Sequence, residues 1–126
     1  MPARHYGSAL LLILSVFTLP PTGQTRSLTT AEAKDHAGES ATVCGVVASA
    51  RYAVRTRGQP TFLNLDKPYP SQLFTVLIWG SDRMNFSEAP EVAYSGKRIC
   101  VTGKIVLYRD GAEIVVKSPS QLRLAS

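Results

Sequence analysis

The stretch from Ala41 to Ala53 reads Ala-Thr-Val-Cys-Gly-Val-Val-Ala-Ser-Ala-Arg-Tyr-Ala, and it constrains the fold more than any other part of the chain. It predicts one long strand carrying Gly45 inside it. Glycine within a strand marks a bulge or a sharp bend. A long strand that bends can pair on both sides, which is what closing a small barrel requires.

The rest of the chain supplies partners for that strand. Thr29 followed by Glu32 matches a capping box, and Ala31 to Ala37 suits a short helix of about two turns ending at Gly38. Val54 to Gln59 is a polar loop, Pro60 to Leu65 a second strand and Asp66 to Gln72 a proline-bearing turn. Leu73 to Trp79 is a third, nearly all-apolar strand that Gly80 ends. In the segment from Ser81 to Ser95, Asp82 is placed to cap a single helical turn whose length Pro90 limits. Gly96 to Arg109 reads as the fourth strand, Asp110-Gly111 as a two-residue hairpin turn, Ala112 to Lys117 as the fifth strand, and Ser118 to Ser126 as a tail. The resulting expectation is an all-β fold: a five-stranded Greek-key barrel of the OB type with short helices. A small β-sandwich or an open meander is the alternative.

Two cysteines test that topology. Cys44 lies early in the first strand and Cys100 early in the fourth, and these strands pair in an OB barrel. Antiparallel partners bring Cβ atoms within disulfide reach, so a Cys44–Cys100 bridge is expected. The alternative is a pair of buried free thiols. No Cys-x-x-Cys spacing points to a redox pair.

The first residues read differently. Arg4 and His5 precede an apolar run from Ala9 to Leu19, followed by Pro20-Pro21-Thr22-Gly23. This describes a signal peptide over residues 1–24, with the domain over residues 25–126 and export to the periplasm or the medium. The apolar run is short for a bilayer span, so no membrane span is expected after cleavage; an uncleaved anchor is the alternative. The formal net charge of +5 permits a polyanionic partner without requiring one. With His5 in the leader, His36 is the only histidine left, and two cysteines cannot build a four-ligand zinc site. No metal and no cofactor are expected.

The runs Thr42-Val43-Cys44-Gly45, Arg51-Tyr52, Thr61 to Leu65, Pro68-Tyr69-Pro70, Phe74 to Trp79 and Lys97 to Gly103 carry a resemblance. Over about residues 29–122 the chain resembles a group of small exported bacterial OB-fold proteins, described as nucleic-acid-binding-like by fold. The run Phe62 to Asp66 is also loosely similar to a strand of anticodon-binding OB domains. The resemblance implies the barrel and brings no catalytic residues.

OB barrels bind on the outer face of their second and third strands, beside the first–second and fourth–fifth loops. A single-stranded nucleic acid needs cations for its phosphates and rings for its bases. The candidates are Arg51, Tyr52, Arg55, Arg57, Phe62, Asn64, Lys67, Tyr69, Thr75 and Trp79. Alternation sends Leu63 and Leu65 inward and leaves Phe62 and Asn64 outward. Each has a plainer reading: solvated charge for Arg55 and Arg57, core packing for Phe62 and Trp79, a pinned turn for Tyr69. The tight last hairpin is expected to contribute little.

Nothing is spaced for catalysis, and Asp66 and Asp82 lack the context of a nuclease calcium site. The expectation is a non-enzymatic binding module for single-stranded nucleic acid or another polyanion. The alternative is an exported protein-interaction or small-ligand module.

Overall fold

The computed structural model describes residue 7, residues 11–16 and residues 26–126. Most of the leader expected over residues 1–24 lies outside the described residues. No helix among the described residues is long and apolar enough to cross a membrane.

Among the described residues, seven strands run in the order β1 (Ser27–Leu28), β2 (Ser40–Tyr52), β3 (Thr61–Leu65), β4 (Phe74–Ile78), β5 (Arg98–Tyr108), β6 (Gly111–Val115) and β7 (Leu122–Leu124). β2 pairs with β3, β3 with β4, β4 with β6 and β6 with β5, and β5 returns to β2. Five strands therefore close a barrel, with the β4–β6 pairing parallel and the others antiparallel. This is the expected OB barrel. β1 and β7 are short additions on the outside, parallel to β2 and antiparallel to β5.

β2 is long because it serves both sides: Ser40 to Val46 pair with β5, and Val47 to Tyr52 pair with β3. The bend lies where the register shifts between Val47 and Ser49, not at Gly45 as the sequence suggested. Gly45 has a different task. A Cβ there would stand 2.9 Å from Oδ1 of Asp66, so glycine makes room for that carboxylate. Asp66 in turn accepts hydrogen bonds from the Val46 amide (2.9 Å) and the Thr30 hydroxyl (2.8 Å). It ties the entry segment to the β2–β3 seam.

The core follows the inward alternation. Val43, Val47, Leu63, Leu65, Phe74, Val76, Ile78, Ile99, Val101, Ile105, Ile114 and Val116 are buried. Side chains of this size contribute roughly 1.5–3 kcal/mol each when fully buried, which makes this layer the main stabilising term. Across the β2–β5 seam, Cys44 lies directly opposite Cys100 and the two form a disulfide.

Several local expectations change. The Thr29–Glu32 capping box forms, with reciprocal bonds of 3.0 and 3.2 Å, but it starts only a four-residue 3₁₀ helix, Ala33–His36. Gly38, at φ +89°, ends it. Asp82 caps nothing: it sits inside a 3₁₀ helix, Gly80–Asn85, whose N-cap is Trp79. Pro90 opens the short helix α1 (Pro90–Ala93) instead of limiting an earlier one, because proline at the first helical turn loses no hydrogen bond. The last hairpin turns on Arg109-Asp110, since Tyr108 pairs with Gly111. The tail is ordered: Ser118 caps a 3₁₀ turn, Pro119–Gln121, and β7 follows.

Candidate functional site

On the outer face of the barrel, one row of residues runs across five strands. The register sets Ser49 opposite Asn64, Asn64 opposite Thr75, Thr75 opposite Glu113 and Glu113 opposite Val106. A neighbouring row sets Arg51 opposite Phe62, and Phe62 opposite Leu77. Strand alternation alone puts these side chains on one surface.

The first three residues of the row hold one another. Asn64 donates to the Ser49 hydroxyl (2.9 Å) and accepts from the Thr75 hydroxyl (3.1 Å). The Ser49 hydroxyl also accepts from the backbone amide of Tyr69 (3.1 Å). The network fastens the β3–β4 loop to the sheet and places Tyr69 at its rim. The Tyr69 side chain remains 70% exposed, so its ring is free to receive a planar partner.

Glu113 breaks the pattern. It is only 9% exposed, and no hydrogen bond or ion pair among the described residues engages its carboxyl. Burial alone pushes its pKa above the usual carboxylate range. A perturbed, unpaired carboxyl in a concave surface is the kind of group a ligand site contains.

A pocket of about 360 Å³ opens over this row. Phe62, Asn64, Thr75 and Glu113 line its floor. Arg51 and Thr56 border it on the β2 side, Tyr69 and Gln72 on the β3–β4 loop, and Tyr108 and Arg109 at the last hairpin. A second hollow of about 380 Å³ shares Tyr69, Gln72, Tyr108, Arg109 and Glu113 and continues past Leu73 and Asp110. Through these shared residues the two form one continuous groove. The Arg109 guanidinium lies 5.5 Å from the centre of the Tyr108 ring, giving a cation beside an aromatic face.

The structure brings five of the sequence candidates to this pocket: Arg51, Phe62, Asn64, Tyr69 and Thr75. Phe62 is half-buried, and the outward-facing Asn64 is nevertheless 4% exposed, with its amide spent on Ser49 and Thr75. The other five stand apart. Arg55 and Arg57 are exposed on the β2–β3 loop and Lys67 on the β3–β4 loop. Tyr52 lies under the Arg83 guanidinium, 3.6 Å from its ring centre. Arg83 also donates to Thr61 (2.6 Å) and twice to Glu91 (2.8 and 3.2 Å), and it holds the Glu91 carboxyl below its usual range. Trp79 borders a separate hollow of about 420 Å³ with Gly58, Gln59, Gly80 and Ser81. A Cβ on Gly58 would come within 2.9 Å of its ring.

Sequence reasoning missed Ser49, Gln72, Tyr108, Arg109 and Glu113. The last hairpin is expected to be too tight to take part, yet its turn carries Arg109 and its two flanking strands carry Tyr108 and Glu113 to the groove. The available signal was the alternation itself, which puts Tyr108 and Glu113 on the outward phase of paired strands.

No group of three His, Cys, Asp or Glu side chains among the described residues could hold a metal ion. No protein-family model and no curated protein matches the chain. Several solved structures are similar in fold, two of them aspartyl-tRNA synthetases. One is an aspartyl-tRNA synthetase from Entamoeba histolytica, with a TM-score of 0.54 and 17% identity, covering 87% of this chain. The other is a putative aspartyl-tRNA synthetase from Leishmania major Friedlin, with a TM-score of 0.51 and 10% identity, covering 88%. This chain spans 23% and 22% of their lengths. At such identities the likeness is one of fold, and it agrees with the strand order in assigning the barrel to the OB class.

Proposed function

We propose that this domain binds single-stranded nucleic acid along the groove, with bases against Phe62, Tyr69 and Tyr108 and phosphates beside Arg51 and Arg109. The observation that carries this reading is the combination in one groove of three aromatic side chains, two arginines and a buried carboxyl. The rings offer stacking surfaces that tolerate any base. The arginines at the edge supply the electrostatic term. Arg55, Arg57 and a net charge of +5 add long-range attraction. The buried Glu113 argues against a generic polyanion, whose charges would meet a carboxyl at the floor. A strand that turns its bases inward and its phosphates outward avoids that conflict. The likeness to two tRNA synthetases supports the same reading.

The domain acts by binding, without catalysis, in our reading. Export is also part of it: the apolar N-terminal run and the Cys44–Cys100 disulfide both suit an oxidising compartment. N-terminal sequencing of the protein recovered from cell fractions tests that element separately.

The binding test is fluorescence anisotropy of labelled single-stranded oligonucleotides at several salt concentrations. Binding at micromolar protein that weakens with salt is expected. Replacing Arg51 with Ala removes one phosphate contact and reduces the log–log salt slope by about 0.7. Tyr69→Ala weakens binding by about 1–3 kcal/mol without disturbing the fold, because that ring is exposed. Absence of salt-dependent binding to any oligonucleotide would overturn the proposal.

A further inference from the structure

We infer that the pocket is a base-reading subsite in which the Glu113 carboxylate selects guanine. The inference rests on the single-strand reading above and names what that site discriminates.

Glu113 has two acceptor oxygens and no donor aimed at them among the described residues. Its neighbours explain why. In its own row, Thr75 is turned to Asn64, and Val106 on the other side carries no polar atom. Arg109 leans over Tyr108, and neither ion pair among the described residues involves Arg51 or Arg109. The carboxyl is not sealed off either. Among the described residues, the one buried side-chain polar atom that is both enclosed and unpartnered is Oε1 of Gln72. The Glu113 oxygens therefore keep an opening to the pocket, which Gln72 also lines while its own Oε1 stays enclosed. One carboxyl awaits donors in the pocket that Tyr69 and Tyr108 border.

An ionised carboxylate accepts only, through two oxygens side by side. Its complement is a pair of adjacent N–H donors. Guanine presents that pair, N1–H beside N2–H, on its Watson–Crick edge. Cytosine and adenine present one amino group next to a lone-pair nitrogen, which would face the second oxygen. Thymine and uracil present one N–H between two carbonyls, the worst match. A buried polar group left unpaired by the wrong ligand is what makes such a site selective.

The test uses labelled thymidine 12-mers with one central substitution: guanine, hypoxanthine, cytosine, adenine or none. Hypoxanthine is guanine without its 2-amino group. The guanine strand is expected to bind about tenfold tighter than the all-thymidine strand, the scale of one good bidentate contact. Hypoxanthine should lose most of that gain. Glu113→Gln, which offers one acceptor and one donor, should reduce the guanine-to-thymine ratio below about threefold. The hypoxanthine comparison needs no variant, so a misfolded E113Q leaves a decisive measurement. Salt-dependent binding of all five strands with equal affinity overturns the guanine assignment and leaves the single-strand reading standing. Failure of every strand to bind overturns both.

Discussion

Glu113 and Glu91 are carboxyls whose environments push them in opposite directions. Glu91 gains the Arg83 guanidinium and is held low; Glu113 gains only burial and is pushed up. The consequence for stability follows by linkage. An acid with a raised folded pKa binds its proton more readily in the folded state. Glu113 is therefore least costly below its unfolded value, near 4.5, and stability is lost as pH rises through its higher folded value. Glu113→Gln removes the charge and keeps the shape. We expect the variant to be more stable than the parent by about 1 kcal/mol at neutral pH. The gap should close as the pH approaches 4.5, as read from urea midpoints across the pH series. A variant less stable than its parent at neutral pH would mean that the carboxyl has a stabilising partner. The same substitution is expected to remove most of the guanine preference. Stability and selectivity would then move in opposite directions at one residue.

At the scale of elements, the β5–β6 hairpin carries a similar conflict. Its turn places Arg109 at φ +55°, where glycine or asparagine would be at ease. Gly111, which pairs with Tyr108, is needed for a different reason: a Cβ there would lie 3.0 Å from the Leu73 carbonyl. The sequence dipeptide Asp110-Gly111 thus announced a tight hairpin one residue out of frame, because close packing against the start of β4 also demands glycine. Much of the architecture was legible in this way. Five alternating apolar runs, a long first strand and two cysteines sufficed for the barrel and its closure. The two- and three-residue strands β1 and β7 were not legible, since they are too short for any period to show. The site was half legible. Phe62 and Tyr69 were visible as rings beside basic loops. Glu113 was not, because its burial depends on residues from other strands and on the hairpin projecting over the sheet. Arg109→Gly tests the hairpin's two roles. Relief of the left-handed strain outweighs the greater unfolded-state freedom of glycine only narrowly, so stability should rise by no more than about 1 kcal/mol. It should also weaken oligonucleotide binding and reduce the salt slope by about 0.7, as loss of one phosphate contact requires. A variant that gains stability and keeps full affinity would remove Arg109 from the interface.

For the whole molecule, the decisive feature is how the barrel closes. β2 belongs to two sides of the barrel, paired with β3 beyond its bend and with β5 before it. The β2–β5 seam joins segments far apart in sequence, and the disulfide crosses it with a sequence separation of 56. Such a link limits the unfolded chain more than a short one would. The chain-entropy model assigns it about 4 kcal/mol, and removal of a native bridge from a small domain costs roughly 2–5 kcal/mol. A domain of this size has total stability of only about 5–15 kcal/mol, so the bridge is a substantial share. The seam also has a full antiparallel ladder from Ser40 to Val46, with Val43 and Val101 buried beside the cysteines. That ladder does not depend on the bridge. The paired variant Cys44→Ala with Cys100→Ala should therefore still fold at 25 °C, with stability to urea lowered by about 2–4 kcal/mol and a higher m-value, because the unbridged unfolded chain is less compact. The groove takes from β2 and β5 only residues beyond the seam, such as Arg51 and Tyr108, so oligonucleotide affinity of the folded variant should match the parent. Loss of affinity in a folded, bridge-free protein would show that closure of the barrel, and not only its sheet face, shapes the site.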